Sequence, residues 1–283
     1  MTVTAPSSTA RYAEAPDQFV EYGGHRYGYR RLGPRGATPL VLALRFRGTI
    51  DHWDPAFIDA LARHRDVVVF DNRGINLTSG PPARTVAEMA DGLHDVLDGL
   101  GLQEVDLLGW SLGGIVVQAA ALARPGRVRR LVVAGSTSGG VPQQPEPDPR
   151  VWQVAGRGAN TDEDFLYLFF PETAAARAAG LASLRRLDER LLASGAAAST
   201  EAVQGQLAAV RDLGEGFWSR LPQLTVPVLV ANGSHDVMIS SYATYAMSTR
   251  LPNARAVLYS DAGHGFLFQH AEEFAADVHR FLS

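Results

Sequence analysis

Val105-Asp106-Leu107-Leu108-Gly109-Trp110-Ser111-Leu112-Gly113-Gly114 is the stretch that decides how this chain is read. An apolar run of strand character, 105–108, meets a tight Gly-x-Ser-x-Gly turn. An apolar helical pattern, Leu112–Ala123, follows at once. A serine on so sharp a turn must hold strained backbone angles, which demands small neighbours. Gly109 and Gly113 let strand and helix pass closely, and Gly114 helps. The serine oxygen then stands at a helix N-terminus, where unpaired N–H groups point at developing negative charge. Ser111 is thus the candidate nucleophile, with the Leu112 N–H a candidate donor to an oxyanion. A chain with 28 Gly can carry this motif by chance, but rarely between a buried strand and a helix.

Working outward, the runs 39–44, 66–70 and 130–134 are rich in Val and Leu and lack polar alternation. Strands covered on both faces of a parallel sheet have this composition. Helical patterns lie between them, one opened by Asp54-Pro55 toward His64 and one by Thr85 toward Leu100. That order predicts right-handed crossovers in one α/β, mostly parallel, doubly wound sheet. Ahead of it, Gln18–Tyr22 and 26–32 flank Gly23-Gly24, a hairpin signal.

The alternation breaks near Ser138. The segment 141–149 carries four prolines and can hold neither a helix nor a central strand. Helical signals alone follow, at 174–192 and 200–213, after an apolar cluster of Phe165, Leu166, Leu168, Phe169 and Phe170. Strand character resumes at 227–231 and 255–259, and a helix over 269–282 closes the chain. The expected organisation is a disordered arm over 1–16, an α/β core over 17–138 and 222–283, and a helical lid over 139–221. The lid would cover the carboxyl ends of the strands, where open α/β sheets bind ligands.

The chain has 283 residues, no Cys and a formal net charge of −4, with 46% hydrophobic residues, an ordinary soluble composition. Without Cys, no disulfide forms. The mild negative charge and the lack of a basic patch speak against a nucleic-acid partner. No run of 18 apolar residues is present and 1–16 lacks an apolar leader core, so the expectation is no membrane and a cytoplasmic location.

A serine hydroxyl needs a base, and the base an orienting acid. His264 lies in Asp261-Ala262-Gly263-His264-Gly265-Phe266, just after the last strand pattern, with Gly on both sides. His270 is its rival, inside the last helix pattern; His25, His64, His94 and His279 fit surface or capping roles. Asp236 follows Ala231-Asn232-Gly233-Ser234-His235 at the end of a strand. Asp261 is the rival acid, close beside His264 in sequence, and 135–137 (Gly-Ser-Thr) offers none. The histidines are not spaced as zinc ligands, so neither metal nor cofactor is expected.

These residues resemble the α/β-hydrolase fold family from about Gln18 to Leu282. The resemblance is carried by 109–113, Asp71-Asn72-Arg73-Gly74, 233–236 and Gly263-His264-Gly265. The chain is most similar to the small-lid esterases, lactonases and cofactor-free haloperoxidase-like enzymes. A Ser at the turn sets it apart from the dehalogenase and epoxide-hydrolase branches, whose turn carries Asp. The resemblance implies hydrolysis of a small-molecule ester or lactone through an acyl-enzyme, with Ser111, His264 and Asp236 as a triad. Hydrolysis of a β-diketone C–C bond by the same residues is an alternative, and a non-catalytic binding protein a further one.

Two departures stand out. Where the family has His-Gly after its third strand, this chain has Leu44-Arg45, which sets Phe46 at the oxyanion position through its backbone N–H. Arg45 replaces a Gly, whose angles an arginine resists. Arg45 or Arg47 either holds a polar or anionic substrate group or makes a salt bridge at the sheet edge. Asn76 replaces a family Gly, and Asn tolerates positive φ. Trp110, Trp152, Phe169, Phe170 and Trp218, with Trp53 and Phe57, are candidates for core or for the walls of an apolar acyl or alcohol pocket. Exposed apolar residues in the lid would permit a homodimer without requiring one.

Overall fold

The computed structural model describes residues 11–283. Its strands are β1 (Gln18–Tyr22), β2 (His25–Leu32), β3 (Leu40–Ala43), β4 (Val67–Phe70), β5 (Val105–Trp110), β6 (Val128–Ala134), β7 (Val228–Gly233) and β8 (Ala254–Tyr259). They form one sheet in the order β1-β2-β4-β3-β5-β6-β7-β8. β2 runs antiparallel to β1 and β4, and all other pairs are parallel. β3 is central, with Leu42 opposite Val69 of β4 and Leu108 of β5.

Period-two alternation sorts these strands onto two cores. Leu40, Leu42, Val67, Val69, Leu108 and Trp110 face one side, and Val41, Ala43, Val68, Phe70, Val105 and Leu107 the other. The first side is covered by α1 (Pro55–Ala62) through Phe57. The second is covered by α2 (Val86–Gly99) and α3 (Leu112–Ala123), through Leu93 and Val117. Both faces are apolar because both are roofed. Local chemistry starts each helix. Asp54 accepts from the Ala56 N–H with Pro55 at the first position, and Thr85 and Glu88 form a reciprocal capping box.

Between β6 and β7 stand α4 (Pro149–Ala155), α5 (Asp162–Phe169), α6 (Ala174–Ser194) and α7 (Thr200–Arg211). Asp148, Thr161, Thr173 and Ser199 cap them. Arg186 of α6 grips Asp54 with two bonds of 2.7 and 2.6 Å, and Ser183 donates to the same carboxylate at 2.7 Å. Beyond them lie α8 (Ser241–Arg250), α9 (Phe266–Gln269) and α10 (Ala271–Leu282). Among the described residues no helix is long and apolar enough to cross a membrane.

The structure differs from the sequence expectation in three places. Of the arm expected over 1–16, residues 1–10 lie outside the described residues, but 11–16 are packed. Tyr12 is buried in the core with Trp53, and its N–H donates to Asp59 at 2.7 Å while its hydroxyl donates to the Ile50 carbonyl. The closing helix is two helices, broken at His270, where φ is −115° and ψ 47°. α8 lacks the apolar spacing that would have announced it, since Ser, Thr and Tyr fill most of it.

Candidate active site

Ser111 sits between β5 and α3 at φ 58° and ψ −122°, a region that costs a non-glycine residue about 1–3 kcal/mol. Two anchors hold it there. Its N–H donates to the Ala134 carbonyl at 2.9 Å, and the buried Ser136 hydroxyl donates to its carbonyl at 2.7 Å. The flanking glycines are needed for space. A Cβ on Gly109 would lie 2.1 Å from the Gly113 carbonyl oxygen, and one on Gly113 would lie 2.0 Å from that of Ala43.

β7 and β8 deliver two further groups. Asp236 follows β7, and His264 follows β8, with Nδ1 of His264 2.7 Å from Oδ2 of Asp236 and both side chains fully buried. The other oxygen, Oδ1, accepts from the N–H groups of Met238 and Ile239 at 2.8 and 2.9 Å. A carboxylate so surrounded by donors is an acceptor toward the imidazole as well. It therefore holds the proton on Nδ1 and leaves the Nε2 lone pair free. Nε2 is buried and has no partner. His264, together with Ser111, Arg45, Phe46, Phe169 and Met238, borders a cavity of about 80 Å³. The rivals pair with each other: Asp261 Oδ1 accepts from the His270 Nε2–H at 2.9 Å on the surface, away from His264.

The loop 44–47 forms the opposite wall. Among the described residues neither the Phe46 nor the Leu112 N–H donates to another group. The positive φ falls on Arg47, at 59°, and not on Arg45, so Arg45 meets no left-handed strain. Neither arginine makes the salt bridge considered at the sheet edge. The Arg47 N–H donates to Gln206 Oε1 of α7 at 2.8 Å, and its guanidinium donates to the carbonyls of Arg157 and Gly158 at 2.6 and 2.8 Å. Arg45 turns inward. Its Cζ lies 5.2 Å from the Phe169 ring centroid and 5.7 Å from that of Trp110, and its Nη1 donates to the Phe46 carbonyl at 2.9 Å. Burial, with the Arg47 charge adding to it, pushes its pKa down to about 10, so it stays charged at neutral pH. His52 is pushed down to about 3 by burial, and by both arginines.

Behind this loop Asp71 accepts from the Ile50 N–H at 2.7 Å and from the Asn76 amide at 2.8 Å. Asn76 takes φ 45°, so the departure from Gly is absorbed and gains a bond. Of the aromatic candidates, Phe169 lines the cavity. Trp110 is fully buried behind it; its Nε1 donates to the His264 carbonyl at 3.1 Å and its ring packs on the imidazole. Phe170 packs on Phe165 and faces a separate groove. Trp152 is 55% exposed, and Trp218 packs on the other core face beneath Arg250. Neither lines the cavity, because the insertion turns them outward or across the sheet. Ser136, Gln206 and Met238 were not singled out from the sequence, since their roles depend on distant partners. No cluster of three metal-ligating side chains occurs among the described residues.

Comparison with known proteins follows the same lines. The family model described as the alpha/beta hydrolase fold matches residues 46–271. A putative carbamate hydrolase, RutD, of Azorhizobium caulinodans is 27% identical over 251 residues, spanning 87% of this chain and 91% of the relative. A pimeloyl-[acyl-carrier protein] methyl ester esterase of Stenotrophomonas maltophilia is 33% identical over 184 residues, or 62% of this chain and 68% of the relative. A solved alpha/beta hydrolase fold protein from Chitinophaga pinensis matches with a TM-score of 0.86 and 34% identity, covering 96% of this chain and 99% of that one.

Proposed function

The chain belongs to the alpha/beta hydrolase fold family, and we propose that it is a serine hydrolase that cleaves a small carboxylic ester or lactone through an acyl-enzyme. The observation that carries this reading is the free Nε2 of His264, fixed by Asp236 at 2.7 Å, on the same cavity as the strained Ser111. Ser111 Oγ attacks the carbonyl carbon and passes its proton to Nε2. Asp236 keeps the imidazole in the tautomer that can accept it and stabilises the imidazolium. The oxyanion lies between the Phe46 and Leu112 N–H groups, each lowering the barrier by about 3 kcal/mol. The imidazolium returns its proton to the departing alkoxide. A water then gives a proton to Nε2 and attacks the acyl carbon, and the imidazolium returns that proton to Ser111 Oγ as the acyl–Oγ bond breaks and the acid is released. The helices between β6 and β7 act as a lid, since Phe169 and the 155–160 turn close the cavity.

Carbamates and activated C–C bonds are open to the same attack, and the relative named a putative carbamate hydrolase makes carbamates worth including. A fluorophosphonate probe should label wild-type protein at Ser111 and leave Ser111→Ala untouched. Absence of labelling in folded wild-type protein would favour a non-catalytic binding protein instead. A panel of aryl esters, lactones, carbamates and β-diketones ranks the bond types, and turnover by Ser111→Ala equal to wild type would refute the nucleophile.

A further inference from the structure

Arg30 is fully buried and pairs with Asp51, and the half-buried Arg129 and Arg186 pair with Asp106 and Asp54, while the buried Arg65 donates to the His279 carbonyl and the Ser283 hydroxyl. Arg45, half-buried on the cavity wall, has less than any of these. No carboxylate lies within ion-pair distance of it among the described residues, its Nε is sealed from solvent without a partner, and one protein carbonyl takes a bond from Nη1. A guanidinium whose Nε is shut off from water and whose bonds do not replace that water is poorly compensated. The faces of Phe169 and Trp110 offset only part of that. His52 stays neutral beside it and adds no second charge, and no acidic side chain in the loop neutralises the guanidinium. What remains unfilled is a planar fork of N–H donors on the wall of the cavity that holds Ser111.

We propose that Arg45 binds a carboxylate of the substrate, so that the ester or lactone opened at Ser111 is itself an anion. This rests on the serine-hydrolase reading of the same cavity and names its substrate class. A guanidinium matches a carboxylate through two parallel bonds. A phosphate dianion would call on a second cation, and the Arg47 donors are already spent on the carbonyls of 155–158. Arg45 directly precedes Phe46, and the cavity is only about 80 Å³. The carboxylate and the scissile carbonyl are therefore a few bonds apart, as in the monoester of a short dicarboxylic acid.

Monomethyl succinate and its neutral isostere methyl 4-oxopentanoate test this. Wild-type kcat/KM should favour the anion by about tenfold or more, and calorimetric binding to Ser111→Ala protein should show the same preference. Arg45→Met should bring both ratios toward one, while Arg45→Lys keeps part of the preference. A ratio near one in wild type and Ser111→Ala overturns the proposal, as does a natively folded Arg45→Met protein that keeps the preference. Failure of Ser111 to label with a fluorophosphonate would count against the hydrolase reading alone, because the binding preference of Ser111→Ala protein is read without turnover.

Discussion

Asp236→Asn separates a positioning carboxylate from a merely structural one. In the native site Oδ1 is committed to the N–H groups of Met238 and Ile239, at 2.8 and 2.9 Å. An asparagine keeps those bonds only by placing its carbonyl oxygen there, which turns its NH₂ toward His264 Nδ1, 2.7 Å from the present Oδ2. The imidazole must then accept at Nδ1 and carry its proton on Nε2, the atom that has to receive the Ser111 proton. The fold loses little, because shape and backbone bonds persist. The base is lost, and the expected fall in kcat is about 10⁴-fold, equivalent to about 5 kcal/mol of barrier. The assay is hydrolysis of an aryl ester across pH, with thermal melts of both proteins and Asp261→Asn as control. Asp261 faces His270 on the surface, so its variant should stay within about twofold of wild type. A fall of less than tenfold in a natively folded Asp236→Asn protein, or an equal fall in Asp261→Asn, would refute the reasoning.

Other consequences are open to test. Tyr12→Ala removes a buried ring and its bond to the Ile50 carbonyl, and should lower unfolding free energy by roughly 3 kcal/mol in urea titrations. His52, pushed down to about 3 from 6.5, should keep the ring-proton shift of a neutral imidazole from pH 8 to pH 4. Because its folded pKa is depressed, its contribution to stability is whole above pH 6.5 and is lost as pH falls toward 3. Stability curves of wild type and His52→Gln should accordingly converge toward acid. Arg47→Ala frees the carbonyls of Arg157 and Gly158, and amides of 155–160 should exchange about tenfold faster by mass spectrometry; unchanged exchange there would show that the clasp does not hold the turn.

The parts of the molecule legible in the sequence are those set by neighbours along the chain. Apolar runs without alternation marked β3 to β6, and small residues around Ser111 marked the turn, because backbone crowding is a local constraint: Gly113 has no room for a side chain against Ala43. The choice of Asp236 over Asp261 was legible only as a preference, since the contact that favours it, one carboxylate oxygen meeting His264, spans 28 residues. Trp152 and Trp218 could not be placed at all. An aromatic residue in a helix gives the same pattern whether it faces a ligand, the core or solvent, and the orientation of the inserted helices is fixed by long-range grips such as Arg186 on Asp54. The packing of Tyr12 escaped for the same reason, its partners Ile50 and Asp59 being far along the chain.

The loop 44–47 takes this further, because three consecutive residues there do three different jobs. Arg45 points into the cavity, Phe46 offers its N–H to the proposed oxyanion, and Arg47 reaches out to the helical insertion. Left-handed φ at Arg47, 59°, costs about 1–2 kcal/mol in isolation. It persists because Gln206, 159 residues away, accepts the Arg47 N–H and because the guanidinium is tied to the 155–158 carbonyls. The insertion therefore stabilises the backbone conformation that aims the Phe46 N–H. On the proposed mechanism, movement of 155–160 that releases Arg47 would remove the compensation for its strain and let the adjoining peptide rotate, which would couple admission of substrate under these helices to assembly of the oxyanion site.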